Sequence, residues 1–248
     1  MLESRPARSI LAGDLGVYLY QVPSKNAVKE YESGGYYHLY NRGVEKRQIF
    51  MDQMDYSVFV SYLDTYLSFP DLQGVSSQEK VPPSKVLKNY FGEIKLLAYC
   101  LMPNHFHLMV KQESERGIDH FMRSLSTKYV RYFNTKHKRV GSLFQDTYKG
   151  VRVENEYQFI YLSKYIHRNP IDLFTCEDTP RRLEDYKYSS YGNYLNNYRQ
   201  VWLDTEEILG LFGKVVGQIS HKNYREFVEE SSDYDHSFIK DVVLDIDS

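Results

Sequence analysis

Apolar and polar residues alternate over residues 35–43 (GYYHLYNRG), an aromatic-rich run that ends in Asn-Arg-Gly. Alternation with period two predicts a β-strand with one buried face. Residues 94–102 (IKLLAYCLM) and 105–111 (HFHLMVK) are two further strand candidates, separated only by Pro103 and Asn104. A connection of two residues predicts that these strands form an antiparallel hairpin.

Other stretches of the chain space their apolar residues as an amphipathic helix does. These stretches are 53–68, 117–137, 155–168 and, shorter, 204–213 and 221–230. Asn155 is a plausible N-cap for the third helix, and Pro170 predicts its end. Residues 142–153 look extended. Because the clearest strand pair is antiparallel and helices alternate with strands, we expect an α+β fold, a small antiparallel sheet with helices packed on one face.

The pattern also predicts how the chain is divided. Residues 1–34 show no sustained period and form an expected N-terminal extension. Residues 35–198 form the main domain, in which the proline-containing stretch 69–90 is a predicted loop or lid. Residues 199–248 form an expected C-terminal helical extension with an acidic tail whose closing residues look frayed.

Charge changes this picture because it is unevenly distributed. The net charge is −2, yet residues 116–152 contain nine Lys and Arg against two acids. Residues 226–248 contain eight acids against the single Lys240. The basic stretch is compatible with phosphate binding, although a solvated helix face explains it equally well.

The cellular compartment is predicted from what the chain contains. We expect a cytoplasmic protein that does not enter the membrane, because no apolar run approaches the roughly 18 residues of a bilayer span and the start lacks the order of a secretory signal. Only two cysteines occur, Cys100 and Cys176, and their separation does not suggest a metal site.

His105 and His107 are the first candidates for chemistry. Residues i and i+2 of a strand point to the same face, so both imidazoles can reach one ion while Phe106 enters the core. The alternative is a pair of exposed or structurally satisfied histidines, since His-x-His also arises by chance.

Tyr165 and Asn169 are the second candidates, at the end of the third predicted helix. They are i and i+4 and therefore neighbours on one helical face. A tyrosinate can attack a phosphodiester, and the amide can supply a ligand beside it. A buried core tyrosine with Asn169 as a C-terminal cap is the alternative, and 24 tyrosines in 248 residues make any one of them a weak signal alone.

Taken together and in this order, several segments resemble the REP-associated tyrosine transposases, relatives of the single-strand insertion-sequence transposases in the His-hydrophobic-His endonuclease superfamily. The matching segments are YYHLYNRGVEKRQIF (36–50), LLAYCLMPNHFHLMVK (96–111), RYFNTKHKRVGSLFQDTYKG (131–150), YLSKYIHRNP (161–170) and YKYSSYGNYL (186–195).

The resemblance implies a ferredoxin- or RRM-like nuclease core in which His105 and His107 bind a metal, Asn169 is a third ligand and Tyr165 is the nucleophile. It implies a metal-dependent single-strand DNA endonuclease and strand transferase that works through a 5′-phosphotyrosine. The expected partner is single-stranded DNA with hairpins of repetitive extragenic palindromes (REP), bound by a monomer or homodimer at the bacterial nucleoid.

The reaction calls for a weakly held ion that faces phosphate oxygens, so we expect Mg²⁺ or Mn²⁺. Basic residues on or near the same surface are candidates for phosphate contacts. They are Arg42, Lys128, Arg131, Lys136, Lys138, Arg139 and Lys149.

Three alternatives are weighed against this hypothesis. A histidine-triad nucleotide hydrolase requires a third histidine where this chain has Met109, which excludes it. A structural zinc protein is disfavoured because cysteine ligands are missing. A catalytically silent DNA-hairpin-binding module stays open. Among the tyrosines, Tyr161 competes with Tyr165, and Tyr129 and Tyr132 fit an apolar helical stripe.

Overall fold

The computed structural model describes residues 31–70, 88–174, 182–215, 223–230 and 239–243. Most of the predicted N-terminal extension and of the predicted loop at 69–90 lies outside them, as does Cys176. The proposed boundaries at 34 and 198 therefore remain predictions.

A four-stranded antiparallel sheet forms the centre of the structure, with its strands in the order β2-β3-β1-β4. The strands are β1 (Tyr36–Arg42), β2 (Ile94–Met102), β3 (His105–Gln112) and β4 (Lys149–Val153). Helix α1 (Gln53–Leu67) connects β1 to β2, and helix α2 (Gly117–Lys136) connects β3 to β4. This β-α-β-β-α-β order is that of a ferredoxin-like core, so the predicted α+β class is confirmed.

Helices α1 and α2 cover one face of the sheet through an aromatic core. The ring of Phe59 on α1 lies 5.3 Å from Phe106 on β3 and 5.0 Å from Tyr129 on α2, measured between centroids. Tyr129 is fully buried, which confirms that it belongs to the apolar stripe of α2. The burial of such large rings is the main favourable contribution to this half of the fold.

The opposite face of the sheet is covered by α3 (Glu156–Arg168), on which α5 (Glu206–Val215) and α6 (Tyr224–Glu229) pack. The expectation of helices on one face thus holds for α1 and α2 and misses this second layer. The reason is that α3 has eight buried residues among its 13, and a helix buried on most sides belongs between two layers. The Asn155 cap is confirmed, because its side chain accepts a hydrogen bond from the Gln158 amide.

Helix α3 ends at Arg168, before Pro170, as predicted. The helical path nevertheless continues, because a 3-10 helix, Asn169–Leu173, follows α3 directly. Proline is tolerated in the first turn of a helix, where its missing amide hydrogen has no required partner. Asn169 consequently keeps helical backbone angles, and its amide donates to the Tyr165 carbonyl.

The C-terminal part of the chain also packs on the sheet. Ile239 and Val242 are buried, and the short helix α7 (Lys240–Val243) lies against β4, so the expectation of frayed closing residues was wrong for 239–243. The edge of β2 is covered as well, since the Leu101 amide donates to the Tyr188 carbonyl just before the single-turn helix α4 (Tyr191–Tyr194). In the described part of the chain, no helix is long and apolar enough to cross a membrane.

Candidate metal and tyrosine site

Strand β3 directs His105 and His107 to the face that α3 covers, while Phe106 between them enters the α1 and α2 core. In the sheet His105 lies opposite Arg42 and His107 lies opposite Tyr40. The two imidazole centroids are 4.9 Å apart. The alternation predicted from the sequence therefore brings both rings to one place.

His105 is held between two asparagines. Its Nδ1 is 2.7 Å from Asn104 Oδ1, and its Nε2 is 2.9 Å from Asn169 Oδ1. The Asn104 amide nitrogen donates to the Lys46 carbonyl at 3.5 Å, which orients the amide with its oxygen toward the imidazole. Asn169 thus reaches the histidine pair from the end of α3, as the i, i+4 spacing from Tyr165 predicted.

His107 is fully buried, and its two ring nitrogens differ. Nδ1 is 2.9 Å from His38 Nε2, whereas Nε2 is a buried atom without a hydrogen-bond partner among the described residues. Burial holds the pKa of His107 well below its usual range; His105 and His38 lower it further, and only the Asn169 side chain acts against them. The ring is therefore neutral near pH 7.

Tyr165, on α3, lies over His107 and His38. Its ring centroid is 5.3 Å from that of His107 and 6.2 Å from that of His38, and the residue is 7% exposed. Tyr161, one turn earlier, instead packs on Phe227 of α6 at 5.4 Å. The tyrosine that α3 places against the histidines is therefore Tyr165.

The donor set fits a divalent ion. Two imidazoles and one amide oxygen come together beside a tyrosine, and the buried Nε2 of His107 has no hydrogen-bond partner among the described residues. Imidazole nitrogens of this kind are common metal ligands. The described residues contain no group of three or more His, Cys, Asp or Glu suited to a metal.

Residues 82–169 match the family model of IS200-like transposases. The matched segment runs through β2, β3, α2, β4 and α3 and contains His105, His107, Tyr165 and Asn169. It confirms the resemblance inferred from the sequence and supports a transposase-like function on DNA.

Two of the solved structures that are similar to this chain are of transposases, and no curated protein matches it. One is the structure of a REP-associated tyrosine transposase bound to a REP hairpin, with 12% identity and a TM-score of 0.46 over 72% of this chain and 93% of that one. The other is a crystal structure of a candidate transposase from Deinococcus radiodurans, with 16% identity and a TM-score of 0.33 over 58% of this chain and 95% of that one.

The basic residues expected to contact DNA are divided between the two faces of the sheet. Arg42 and Lys149 are on the histidine face, because Arg42 pairs with His105 and Lys149 pairs with Tyr40. Arg42 Nε donates to Gln145 at 2.7 Å, and the Lys149 ammonium lies 6.0 Å from the Tyr40 ring centroid.

The other five candidates belong to α2 or the turn after it, on the side of the sheet away from the histidines. They are Lys128, Arg131, Lys136, Lys138 and Arg139. Lys136 forms ion pairs with Asp52 and Asp55, and Arg139 donates to Asn134. The structure therefore does not bring these five residues to the candidate site.

Two residues near the site were not predicted from the sequence. His38 is fully buried beside His107, and Tyr40 lies 4.8 Å from His38 between ring centroids. Both lie in the segment 36–50 that resembles the family. The signal that could have found them was the strand alternation, which puts both on the same face of β1, although alternation does not tell which face meets the histidines of β3.

His167, two residues after Tyr165, is structural. It is fully buried, with Nδ1 2.8 Å from the Tyr224 hydroxyl and Nε2 2.8 Å from the Ser190 hydroxyl. Burial lowers its pKa to about 3. A buried ring with both nitrogens bonded inside the protein does not face DNA.

Proposed function

We propose that this protein is a divalent-metal-dependent single-strand DNA endonuclease and strand transferase in which Tyr165 is the nucleophile. The observation that carries the proposal is the meeting of Tyr165, the His107 ring and the Asn169 amide within the segment that matches IS200-like transposases, with His107 Nε2 lacking a hydrogen-bond partner among the described residues. The alternation of β3 and the helical spacing of α3 position these groups independently of one another.

In the proposed reaction the Tyr165 oxygen attacks a phosphodiester phosphorus. A bond from the phenolic oxygen to phosphorus forms, and the bond from phosphorus to the 3′ oxygen breaks. The phenol gives up its proton, the departing 3′ hydroxyl takes one up, and the 5′ end remains attached as a phosphotyrosine. Attack by another 3′ hydroxyl reverses these changes and joins strands.

His105, His107 and Asn169 are proposed to hold Mg²⁺ or Mn²⁺ through two Nε2 atoms and the Oδ1 atom. The ion supplies Lewis acidity, which polarises a phosphoryl oxygen and stabilises the charge that develops on it. Asn104 holds one imidazole in place and His38 the other. The imidazole ligands favour Mn²⁺ over Mg²⁺ in affinity.

Arg42 and Lys149 are the proposed phosphate contacts, because they share the sheet face with the histidines. The resemblance to REP-associated transposases proposes REP-type hairpins as the substrate and the bacterial nucleoid as the place of action. A monomer or a homodimer is compatible with that proposal.

A catalytically silent hairpin-binding module is the second candidate, and the burial of Tyr165 at 7% exposure favours it. A nucleophile must reach a phosphate, and a tyrosine packed on histidines does so only when the site admits DNA. The two functions differ in one measurable product, a covalent bond between protein and DNA.

A covalent-adduct assay separates the two. End-labelled single-stranded REP hairpin oligonucleotides are incubated with Mn²⁺ and the wild-type, Tyr165→Phe or Tyr161→Phe protein, then resolved on denaturing gels. We expect a labelled protein band for wild type and Tyr161→Phe, and none for Tyr165→Phe. An adduct that survives Tyr165→Phe contradicts the assigned nucleophile. Tight hairpin binding without any adduct or cleavage favours the binding module.

A further inference from the structure

His38 connects the proposed metal site to the C-terminal helix. It is fully buried on β1, where Nδ1 is 2.7 Å from the Val242 carbonyl oxygen and Nε2 is 2.9 Å from His107 Nδ1. The two imidazoles are nearly parallel, at 14° with centroids 5.1 Å apart. A buried histidine with both nitrogens engaged requires a definite arrangement of protons.

That arrangement follows from the Val242 carbonyl, which only accepts hydrogen bonds. The Nδ1 of His38 must therefore bear a hydrogen. The Nε2 of the neutral His38 ring then has no hydrogen and can only accept. The hydrogen between the two rings consequently belongs to His107 Nδ1, and His107 Nε2 is left with its lone pair.

We infer that His38 is a positioning residue that holds His107 as its Nδ1–H tautomer and so presents the His107 Nε2 lone pair to the ion. The inference rests on the proposed function only for the ion itself. The chain from the Val242 carbonyl through His38 to His107 sets the tautomer in the metal-free protein.

The neighbouring ligand differs, because both of its ring nitrogens face amide oxygens: Nδ1 of His105 is 2.7 Å from Asn104 Oδ1 and Nε2 is 2.9 Å from Asn169 Oδ1. An oxygen only accepts, so these two contacts do not single out one tautomer of a neutral His105. Metal-binding histidines in general donate their other ring hydrogen to a fixed acceptor, which sets the tautomer and the orientation of the ring. His38 is the acceptor that serves His107.

His167 offers a matched control on the same side of the sheet. It is as buried as His38, but its two nitrogens meet the Tyr224 and Ser190 hydroxyls, which can each donate or accept. A His167→Gln variant therefore removes a buried imidazole of the same size but leaves His38 in place as the hydrogen-bond acceptor for His107 Nδ1.

The test is ¹⁵N correlation spectroscopy of the histidine rings in metal-free protein, because protonated and bare ring nitrogens have well-separated shifts. We expect wild-type His107 to have a protonated Nδ1 and a bare Nε2. His38→Gln retains an amide oxygen that accepts from His107 Nδ1, so it and His167→Gln should keep this tautomer. His38→Leu removes the acceptor, and the hydrogen should move to Nε2 in part or in full.

Metal affinity is the second readout. We expect His38→Leu to bind Mn²⁺ about 10- to 100-fold more weakly in calorimetry, and His38→Gln to recover most of that loss. A wild-type His107 protonated on Nε2 overturns the inference, as does an unchanged tautomer and Mn²⁺ affinity in His38→Leu. If His38→Leu does not fold, the tautomer of wild-type His107 tests the inference by itself. Wild-type protein with the expected tautomer but no Mn²⁺ binding contradicts the proposed function and leaves the role of His38 in place.

Discussion

The two faces of β3 differ in what their side chains do. On one face Phe106 packs into the aromatic layer of α1 and α2, while on the other His105 and His107 meet Asn169, His38 and Tyr165. One strand thus contributes to stability through alternate residues and to proposed chemistry through the others. Five of the seven basic residues expected to contact DNA belong to α2 or the turn after it, on the side of the first face, so a concentration of charge in the sequence does not indicate where the proposed chemistry lies.

His107 and His167 are two buried histidines on the same side of the sheet, and they differ in the partners of their ring nitrogens. Both are fully buried, and burial lowers the pKa of both. His167 has a partner for each ring nitrogen, whereas Nε2 of His107 has none among the described residues. A ring nitrogen without a hydrogen-bond partner among the described residues therefore distinguishes the candidate metal ligand from the structural histidine.

The largest effect is expected from replacing both His105 and His107 with alanine. The double variant lacks both imidazole ligands, and we expect cleavage of a hairpin oligonucleotide to fall by roughly 10³-fold or more. Single-turnover cleavage at saturating Mn²⁺ measures this. Cleavage at the wild-type rate would refute the metal assignment. His167→Gln serves as the control for the removal of a buried histidine.

In contrast to the histidine double variant, Phe59→Ala should lower stability and leave metal binding unchanged. The ring is fully buried against Phe50, Phe106 and Tyr129, so its removal should cost about 3–5 kcal/mol in the free energy of unfolding. Urea denaturation gives this value, and calorimetry of the folded variant should give a Mn²⁺ affinity close to that of wild type. A large decrease in Mn²⁺ affinity would show that the two faces are not separable.

Acid should destabilise the protein through its buried histidines. Burial lowers the pKa of His38 from 6.5 to about 4 and that of His167 to about 3. As the pH falls below 6.5, these histidines therefore bind protons in the unfolded chain but not in the native state. The contribution of these histidines to the free energy of unfolding is therefore fully present above pH 6.5. It decreases below pH 6.5, by up to about 1.4 kcal/mol per pH unit for each histidine. Urea denaturation between pH 7 and 5 measures the slope. His167→Gln should have a shallower slope than wild type, and an equal slope would contradict this cause.

The smallest effect concerns the basic residues. Replacing Arg42 and Lys149 with alanine should make the logarithm of hairpin affinity less dependent on the logarithm of salt concentration, by about 0.7 for each phosphate that the variant no longer neutralises. The matched double variant Arg123→Ala, Arg131→Ala removes two exposed charges from α2 and should leave the slope unchanged. If only the α2 variant changes the slope, DNA is bound on the other face.

The sequence alone was sufficient for the local part of this structure. Strict alternation in β3 predicted that His105 and His107 share a face, and the spacing of four predicted that Asn169 follows Tyr165 on one side of α3. These inferences need only the geometry of a strand and a helix.

Long-range contacts were not accessible in the same way. The bond between His38 and Val242 joins residues 204 positions apart, and no local pattern distinguishes His38 from an ordinary strand residue. Likewise, the charge of α2 is plain in the sequence, but the side of the sheet on which α2 packs depends on the handedness and order of the whole fold.

The most direct test of the central claim is to identify the residue that bears the DNA. The wild-type adduct with a short single-stranded hairpin is digested with protease and nuclease, and tandem mass spectrometry locates the nucleotide-modified residue. The account predicts modification of Tyr165, on the face with His105 and His107. Modification of Tyr161, of Tyr40 or of a tyrosine on α2 would contradict it.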